Sequence, residues 1–505
     1  MLFFAVGLRL DRRRNMLRAE VTVPRLKTLL LGAAGAIVLA GAGFAALAWK
    51  PALDPVTPPT RESFPPELIR RGAELAAIGD CNTCHTAPGG KVFAGGLALP
   101  TPFGTVYSTN ITPDPETGIG RWSEAAFQRA MREGVDREGS HLYPAFPYDH
   151  FTLVTEADNR AIYAYLMTRE PVRAETPANE LVFPLGFRPL LAGWKLLFLK
   201  EGPRPELEAD HGAYLAEGLG HCGACHSPRN ALGAVQHDHA LSGGEAEGWY
   251  AYAVNQSSPA PQPWTEESLF HYLRHGWEAS HGIARGPMAP VVANLAWVPE
   301  EDVRAIAGYV ARRMGQGVTP ATVPALTTPV PGPGTSPTMA DSQTVPPVPG
   351  QDAGRAVYAS ACASCHEAGR PLPFGGMHLK GSTAPHGPNP RNLINVVLDG
   401  LPAAEGERAP IMPGFRAVLT DQQIVELLGY IRAAFTDQQP WTGWKPWCAR
   451  CGGAIRPRPP GPPMPCNPPL PTRPSEACHG ESQGKRPAAF AGYRPGNAAA
   501  LRAAG

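Results

Sequence analysis

The residues able to do chemistry stand in one pentapeptide that occurs three times: Cys81-Asn-Thr-Cys84-His85, Cys222-Gly-Ala-Cys225-His226 and Cys362-Ala-Ser-Cys365-His366. Its first cysteines lie 141 and then 140 residues apart. Two thiols separated by two residues, followed at once by an imidazole, can form thioethers with both vinyl groups of a haem and give its iron a proximal nitrogen. One such pentapeptide could belong to a zinc or disulfide site. Three at near-equal spacing point to three covalently bound haem c groups. Cys81, Cys84, Cys222, Cys225, Cys362 and Cys365 are then the attachment thiols, and His85, His226 and His366 the proximal ligands.

A haem of this kind usually takes a sixth ligand, most often a methionine in the loop before the last helix of its domain. The thioether favours ferrous iron and raises the reduction potential. Two internal rulers locate it. Gly276 to Met288 and Gly400 to Met412 both span 12 residues, and Met288 and Met412 precede Tyr309 and Tyr430 by 21 and 18. Each methionine touches a proline, whose fixed φ helps hold a loop in place. Met288 and Met412 are therefore the expected axial ligands. In the first repeat, 12 residues beyond Gly134 and 19 before Tyr165 meet at Phe146, within Tyr143-Pro-Ala-Phe-Pro-Tyr148. Phenylalanine has no lone pair for iron. The first haem either stays five-coordinate or recruits another side chain, and its distal ligand is unknown.

Met131 matches the places of Leu273 and Val397 and reads as a helix core residue. His141 and His150 flank the loop and could ligate if it refolded; both read as exposed loop histidines. Pro102-Phe103-Gly104 and the segment Tyr107 to Asn110 are expected to wrap the first macrocycle. Arg229 and Arg391 read either as partners of haem propionates or as plain surface arginines.

These groups must be positioned by recurring helices. Gly72, Gly212 and Gly354 stand 8–10 residues before the first cysteine of each pentapeptide, where lack of a side chain lets two helices approach closely. Tyr165, Tyr309 and Tyr430 mark a matching last helix. Its starts are signalled by Thr155 and Thr420 as capping residues, and by Pro299 with acidic residues after it. A glycine-bearing helix crossing a tyrosine-bearing one resembles the class I cytochrome c fold. The expected fold is mainly α, with three such domains in tandem at 66–175, 205–318 and 351–438. A Pro/Thr/Ser-rich tether at 319–350 would let the third reorient. Residues 181–199 are apolar but broken by Pro184, Arg188, Pro189 and Lys195. They read as a packed linker, or as a surface for a partner or the membrane.

Residues 1–27 are basic, and 28–49 form an uncharged apolar run long enough to cross a bilayer. This predicts a cytoplasmic N-terminus, a transmembrane anchor and a periplasmic remainder on the bacterial cytoplasmic membrane. A cleaved signal ending near Ala46-Leu47-Ala48 is the alternative. At 505 residues and 43% hydrophobic, the chain can bury several cores. With 45 basic against 44 acidic residues, it lacks the charge of a nucleic-acid binder. The remaining cysteines, Cys448, Cys451, Cys466 and Cys478, lie in 439–505, which reads as a disordered tail. Cys448 and Cys451 lack the following histidine of a haem site.

Over residues 66–438 the chain resembles the membrane-bound three-haem cytochrome c subunits of bacterial periplasmic dehydrogenases, those serving alcohol, gluconate and sorbitol oxidation. The resemblance rests on Cys81-Asn-Thr-Cys-His-Thr-Ala-Pro-Gly-Gly, Thr105-Val-Tyr-Ser-Thr-Asn-Ile-Thr-Pro-Asp, Leu142-Tyr-Pro-Ala-Phe-Pro-Tyr, Gly220-His-Cys-Gly-Ala-Cys-His-Ser-Pro-Arg-Asn and Ile411-Met-Pro-Gly-Phe. Many members have methionine where this chain has Phe146. The phenylalanine form is more similar to cytochromes paired with molybdenum hydroxylases that oxidise aldehydes, nicotinate or isoquinoline-type heterocycles. The resemblance implies an electron carrier between a catalytic subunit (molybdenum hydroxylase, flavin or quinone dehydrogenase) and ubiquinone or a terminal oxidase. The chain has no dinucleotide fingerprint, so substrate oxidation belongs to another subunit. The alternative is a haem enzyme that reduces peroxide or nitric oxide at an open first haem, with His141 or Glu138 as acid–base group, or a gas sensor at that haem.

Overall fold

The computed structural model describes residues 24–315, 345–367, 376–402 and 411–443. The basic residues 1–23, most of the Pro-rich tether and the tail from 444 lie outside the described residues. Helix α1, Pro24–Ala48, contains the uncharged stretch Leu30–Ala48, 19 residues that leave their side chains largely exposed. At about 1.5 Å per residue this matches the hydrocarbon thickness of a bilayer.

The expected helix crossing occurs three times, and glycine causes it each time. Helix α2 (Pro66–Ile78) buries Ile69, Gly72, Leu75 and Ala76 on one stripe and crosses α3 (Glu156–Met167). A Cβ on Gly72 would lie 1.9 Å from the Ala161 carbonyl oxygen and 2.8 Å from Tyr165 Cβ. The Thr155 hydroxyl accepts the Asp158 N–H at 3.2 Å and caps α3, a contact worth about 1 kcal/mol. After α4 (Leu190–Phe198), α5 begins as His211–Ala213 and continues as a π-helical turn, Tyr214–Leu219. It crosses α6 (Glu300–Arg313), where Gly212 sits against the Ala305 carbonyl. Acids in the first turn of α6 and arginines in its last complement its dipole. The third pair is α7 (Asp352–Ala361) and α8 (Asp421–Phe435). There Gly354 meets the Glu426 carbonyl, and Thr420 with Gln423 forms a capping box.

The first two helix pairs do not have separate interiors. One hydrophobic cluster runs from Ile69 and Leu75 through Ile162 and Leu215 to Ile306 and Val310; a second, from Val345 to Phe435, belongs to the third pair. Polar ties reinforce the fusion of the first two units. Asp158 and Asp302 each stand seven residues before their helix tyrosine. Asp158 accepts the Tyr214 hydroxyl at 2.7 Å from the other unit, while Asp302 accepts Arg71 at 2.7 Å across the joint and His211 at 2.6 Å within its own unit. Asp302 is buried. Replacing it with alanine removes the acceptor of both the Arg71 guanidinium and the His211 ring. We expect a loss of about 2 kcal/mol in the unfolding of the first two units, measured by denaturant titration, with no change in the third unit.

The third unit is bonded to the second. Strands β1 (Ala98–Thr101), β2 (Gly104–Tyr107) and β3 (Glu180–Leu181) form one small antiparallel sheet, and β4 (Gly244–Ala246) and β5 (Trp249–Ala251) form another. The Asn392 amide pairs with the Tyr250 backbone of β5 in both senses, at 2.9 and 2.8 Å. Asn395 donates to the Gly248 carbonyl, and Arg391 pairs with Glu245 at 3.1 Å. Reorientation of the third unit therefore requires these bonds to break. Pro102-Phe103-Gly104, expected to wrap the first haem, forms the hairpin turn from β1 into the start of β2. Its Phe103 ring packs on Gly233 of the second unit.

Candidate haem sites

Each pentapeptide follows the C-terminal end of a first helix. The preceding residues Asp80 and His221 adopt left-handed conformations (φ 53° and 38°) that turn the chain into the first two motifs. All three histidines make the same bond. The Nδ1–H of His85 donates to the Thr109 carbonyl at 2.7 Å, that of His226 to Tyr252 at 2.6 Å and that of His366 to Met377 at 2.7 Å. A carbonyl can only accept, so the proton is on Nδ1 and the Nε2 lone pair is free for iron. Burial lowers the pKa of each ring, which keeps it neutral and able to ligate. Thr109 lies in the 107–110 segment expected near the first haem, and its role there is to aim the proximal ring.

The six cysteines are free thiols. Burial pushes the Cys81, Cys84, Cys222 and Cys362 thiols up to about 12. Among the described residues, no group of three or more His, Cys, Asp or Glu converges on a bare metal ion. Two thiols beside an Nε2 lone pair suit thioether attachment and axial ligation of a haem.

The second and third motifs share one cavity of about 790 Å³, lined by Cys222, Cys225 and His226 and by Cys362, Cys365 and His366. Met288 and Met412 stand on its wall together with Tyr252, Val291, Leu393 and Phe415. Apolar walls, free thiols, bare imidazole nitrogens and two thioethers together fit haem c. Haem supplies reversible one-electron carriage when bound. The loop glycines that served as rulers share a helix-ending position. Gly134, Gly276 and Gly400 all end a helix with positive φ (61°, 77° and 71°), and each N–H bonds the carbonyl four residues back. Met288 begins the helix Met288–Leu295, and Met412 pairs in a β-bridge with Leu401.

In the first unit the loop after Gly134 carries Phe146 in a turn before the short helix Tyr148–Phe151. The half-buried Phe146 ring packs edge-on against Phe151 at 5.2 Å. Met131 is buried in the core, as its register implied.

Known proteins can now be set beside this geometry. The gluconate 2-dehydrogenase cytochrome c subunit of Pantoea cypripedii is 36% identical over 428 residues, which cover 79% of this chain and 90% of that one. The alcohol dehydrogenase (quinone) cytochrome c subunit of Gluconacetobacter polyoxogenes is 35% identical over 399 residues, 74% of this chain and 82% of that one. The chain belongs to the cytochrome c subunits of bacterial membrane dehydrogenases. A nicotinate dehydrogenase subunit of Pseudomonas putida is 46% identical over 409 residues, 79% of this chain but 33% of that protein, so the chain spans about a third of that relative's length. Residues 349–431 match the family described as cytochrome c oxidase, cbb3-type, subunit III.

In this cytochrome subunit the two loop histidines differ from their reading in the sequence: both are buried. His141 Nε2–H donates to the Ala48 carbonyl at 3.0 Å, and its Nδ1 accepts Lys195 Nζ at 2.9 Å. With both nitrogens engaged, His141 is neither a spare iron ligand nor a peroxide acid–base group. His150 donates from Nδ1 to the Glu217 carbonyl at 2.7 Å and packs against Gly223 of the second motif. Glu138 is paired with Arg137. Arg229 donates to the Gly233 and Ala224 carbonyls of its own loop, at 2.7 and 2.9 Å.

Lys195, which in the sequence only interrupted an apolar run, is a buried member of this group. Its Nζ donates to the Gly134 carbonyl at 2.6 Å and lies 4.9 Å from the Tyr148 ring centre. Burial lowers its pKa to about 7; in the unfolded chain it would titrate near ~10.4. Between those values the unfolded chain binds one more proton, so stability rises with pH, by at most about 1.4 kcal/mol per unit. Below the folded value both states are charged, and the full cost of burying the ammonium is present. Denaturant unfolding at pH 7 to 9.5 is expected to show this slope in the native chain. The slope is expected to disappear in Lys195→Met.

Proposed function

We propose that this cytochrome subunit holds three haems c in a row and carries electrons from a periplasmic catalytic subunit to ubiquinone in the membrane. The observation that carries the reading is continuity between the sites. The second and third pentapeptides open into one cavity, and the first and second units share one hydrophobic core. The end of α1 is tied to the first unit through Ala48 and His141, Lys50 and Glu133, and Leu53 and Arg137. The row thus begins beside the anchor and ends at the third unit, and we assign electron entry to the third unit and exit to the first. These ties support retention of α1 as a periplasmic-side anchor, since cleavage at Ala48 would cut the chain at a bonded residue.

On this reading the chain's own groups have defined tasks. His85, His226 and His366 present neutral Nε2 atoms, the six thiols fix the groups covalently, and Met288 and Met412 complete the second and third sites. Phe146 leaves the first site without a methionine. The similarity to the nicotinate dehydrogenase subunit favours a molybdenum hydroxylase acting on a nitrogen heterocycle or aldehyde as catalytic partner, over a flavin or quinone dehydrogenase.

A tagged full-length chain, extracted from membranes in mild detergent, tests this. We expect three haems per chain, a molybdenum-containing partner, and substrate-dependent reduction of a ubiquinone analogue. That reduction should be lost when Cys362 and Cys365 are both replaced by alanine. Two haems per chain, or undiminished quinone reduction in that variant, would refute the arrangement.

A further inference from the structure

The segment between the first two units is apolar on its outer side. Of its two cations, Lys195 is buried and Arg188 is half-exposed with its guanidinium drawn back over the first unit. Arg188 donates to the His141 carbonyl at 3.2 Å and lies over the Tyr143 ring, 5.3 Å from its centre, and Lys195 is bonded to Gly134 and His141. The stretch on either side of Arg188 is apolar and exposed. Residues 182–187, Val-Phe-Pro-Leu-Gly-Phe, are six consecutive exposed residues, with Phe183 92% exposed. On α4, Leu190, Leu196 and Leu197 are exposed beside them. So many contiguous exposed apolar side chains mark an interaction surface.

The structure also indicates what covers this face. Helix α4 packs against α1, whose own apolar side chains are uncovered by protein. His141 joins the two, with Nε2 on the last carbonyl of α1 and Nδ1 on the α4 lysine. Exposed Trp49 follows α1, where aromatic residues favour a membrane–water boundary. The segment is held rigidly at that level: Tyr143 donates to the Leu185 carbonyl at 3.1 Å and Trp194 to the Leu232 carbonyl at 3.0 Å.

We propose that residues 182–197 form a second membrane-contact element, in which Val182, Phe183, Phe187, Leu190, Leu196 and Leu197 enter the periplasmic leaflet of the bilayer crossed by α1. This rests on the reading of α1 as a retained anchor. The element lies flat as a monotopic surface, with an apolar face in the acyl boundary and a polar face on the protein. Together with α1 it would fix the tilt of the first haem unit on the membrane.

The test uses the full chain reconstituted in phosphatidylethanolamine–phosphatidylglycerol vesicles containing a lipid with a diazirine on its acyl chain. After irradiation, mass spectrometry is expected to find lipid adducts on peptides covering 181–199 as well as on α1. The variant carrying Val182→Asp, Phe183→Asp and Phe187→Asp, all exposed positions, is expected to lose at least tenfold of the adducts on 181–199. Its haem spectrum and its α1 adducts should be unchanged. Adducts confined to α1 would overturn the proposal. So would protection of 181–199 from hydrogen exchange only in complex with the catalytic subunit. An intact mass lacking residues 30–48 would refute the anchor reading instead, and the adducts on 181–199 would still decide this proposal separately.

Discussion

Gly354→Val is expected to unfold the third unit while leaving the first two intact. A Cβ at this position would lie 2.1 Å from the Glu426 carbonyl oxygen and 2.7 Å from Tyr430 Cβ, neither of which is a flexible chain end. The helices α7 and α8 would have to separate, and their contact is the centre of the smaller core, where Tyr358, Leu428 and Tyr430 are fully buried. Overpacking ordinarily costs about 1–3 kcal/mol; a branched side chain against backbone at this distance belongs at about 3 kcal/mol or beyond. Thioether attachment needs only Cys362, Cys365 and His366, so intact mass should still show three haems. The expected losses are the Met412 thioether ligand, seen as one methionine-to-iron charge-transfer band fewer, and the unfolding transition of residues 345–441. Gly193→Ala is the control, since a Cβ there meets nothing within 4 Å and should be neutral or slightly stabilising.

Phe146→Met is expected to give the first haem a methionine ligand. The loop that carries Phe146 begins at the same kind of left-handed helix cap as the loop carrying Met288. The correspondence continues along it: Val135 pairs with His141 as Trp277 pairs with Ile283, and Leu142 bonds Gly134 as Ala284 bonds Gly276. A methionine at 146 therefore starts from a backbone already shaped to present it. We expect the charge-transfer intensity per chain to rise by half, from two methionine haems to three, and the potential of the first haem to rise. Phe146→Leu, which supplies bulk without sulfur, should leave both unchanged.

The sequence revealed those features whose physical code is local. A glycine forced by a carbonyl about 2 Å away, a threonine capping its own helix and a loop glycine with positive φ leave signatures at fixed spacing. The helix crossings could therefore be located before any coordinates. Direction and partnership could not be read in that way. Nothing in one dimension tells that Lys195 is buried and Arg188 drawn back over the first unit, so an exposed apolar face looked like a broken run. His141 and His150 looked like exposed loop histidines because their partners, Ala48 and Glu217, are 93 and 67 residues away. The same holds for Asn392, whose amide bonds Tyr250 142 residues distant and docks a unit that its Pro-rich tether suggested was free. The shared core of the first two units was hidden because each side of that contact is ordinary helix-face hydrophobicity.

The central claim is that the three sites are alike on the proximal side and unlike on the distal side. It is tested most directly by near-infrared magnetic circular dichroism of the ferric full-length chain, with haem content counted on the same sample. We predict three haems per chain and methionine-to-iron charge-transfer intensity equal to two, with Met288→Ala and Met412→Ala each removing one. Intensity equal to three in the native chain, or its survival in either variant, would contradict the assignment.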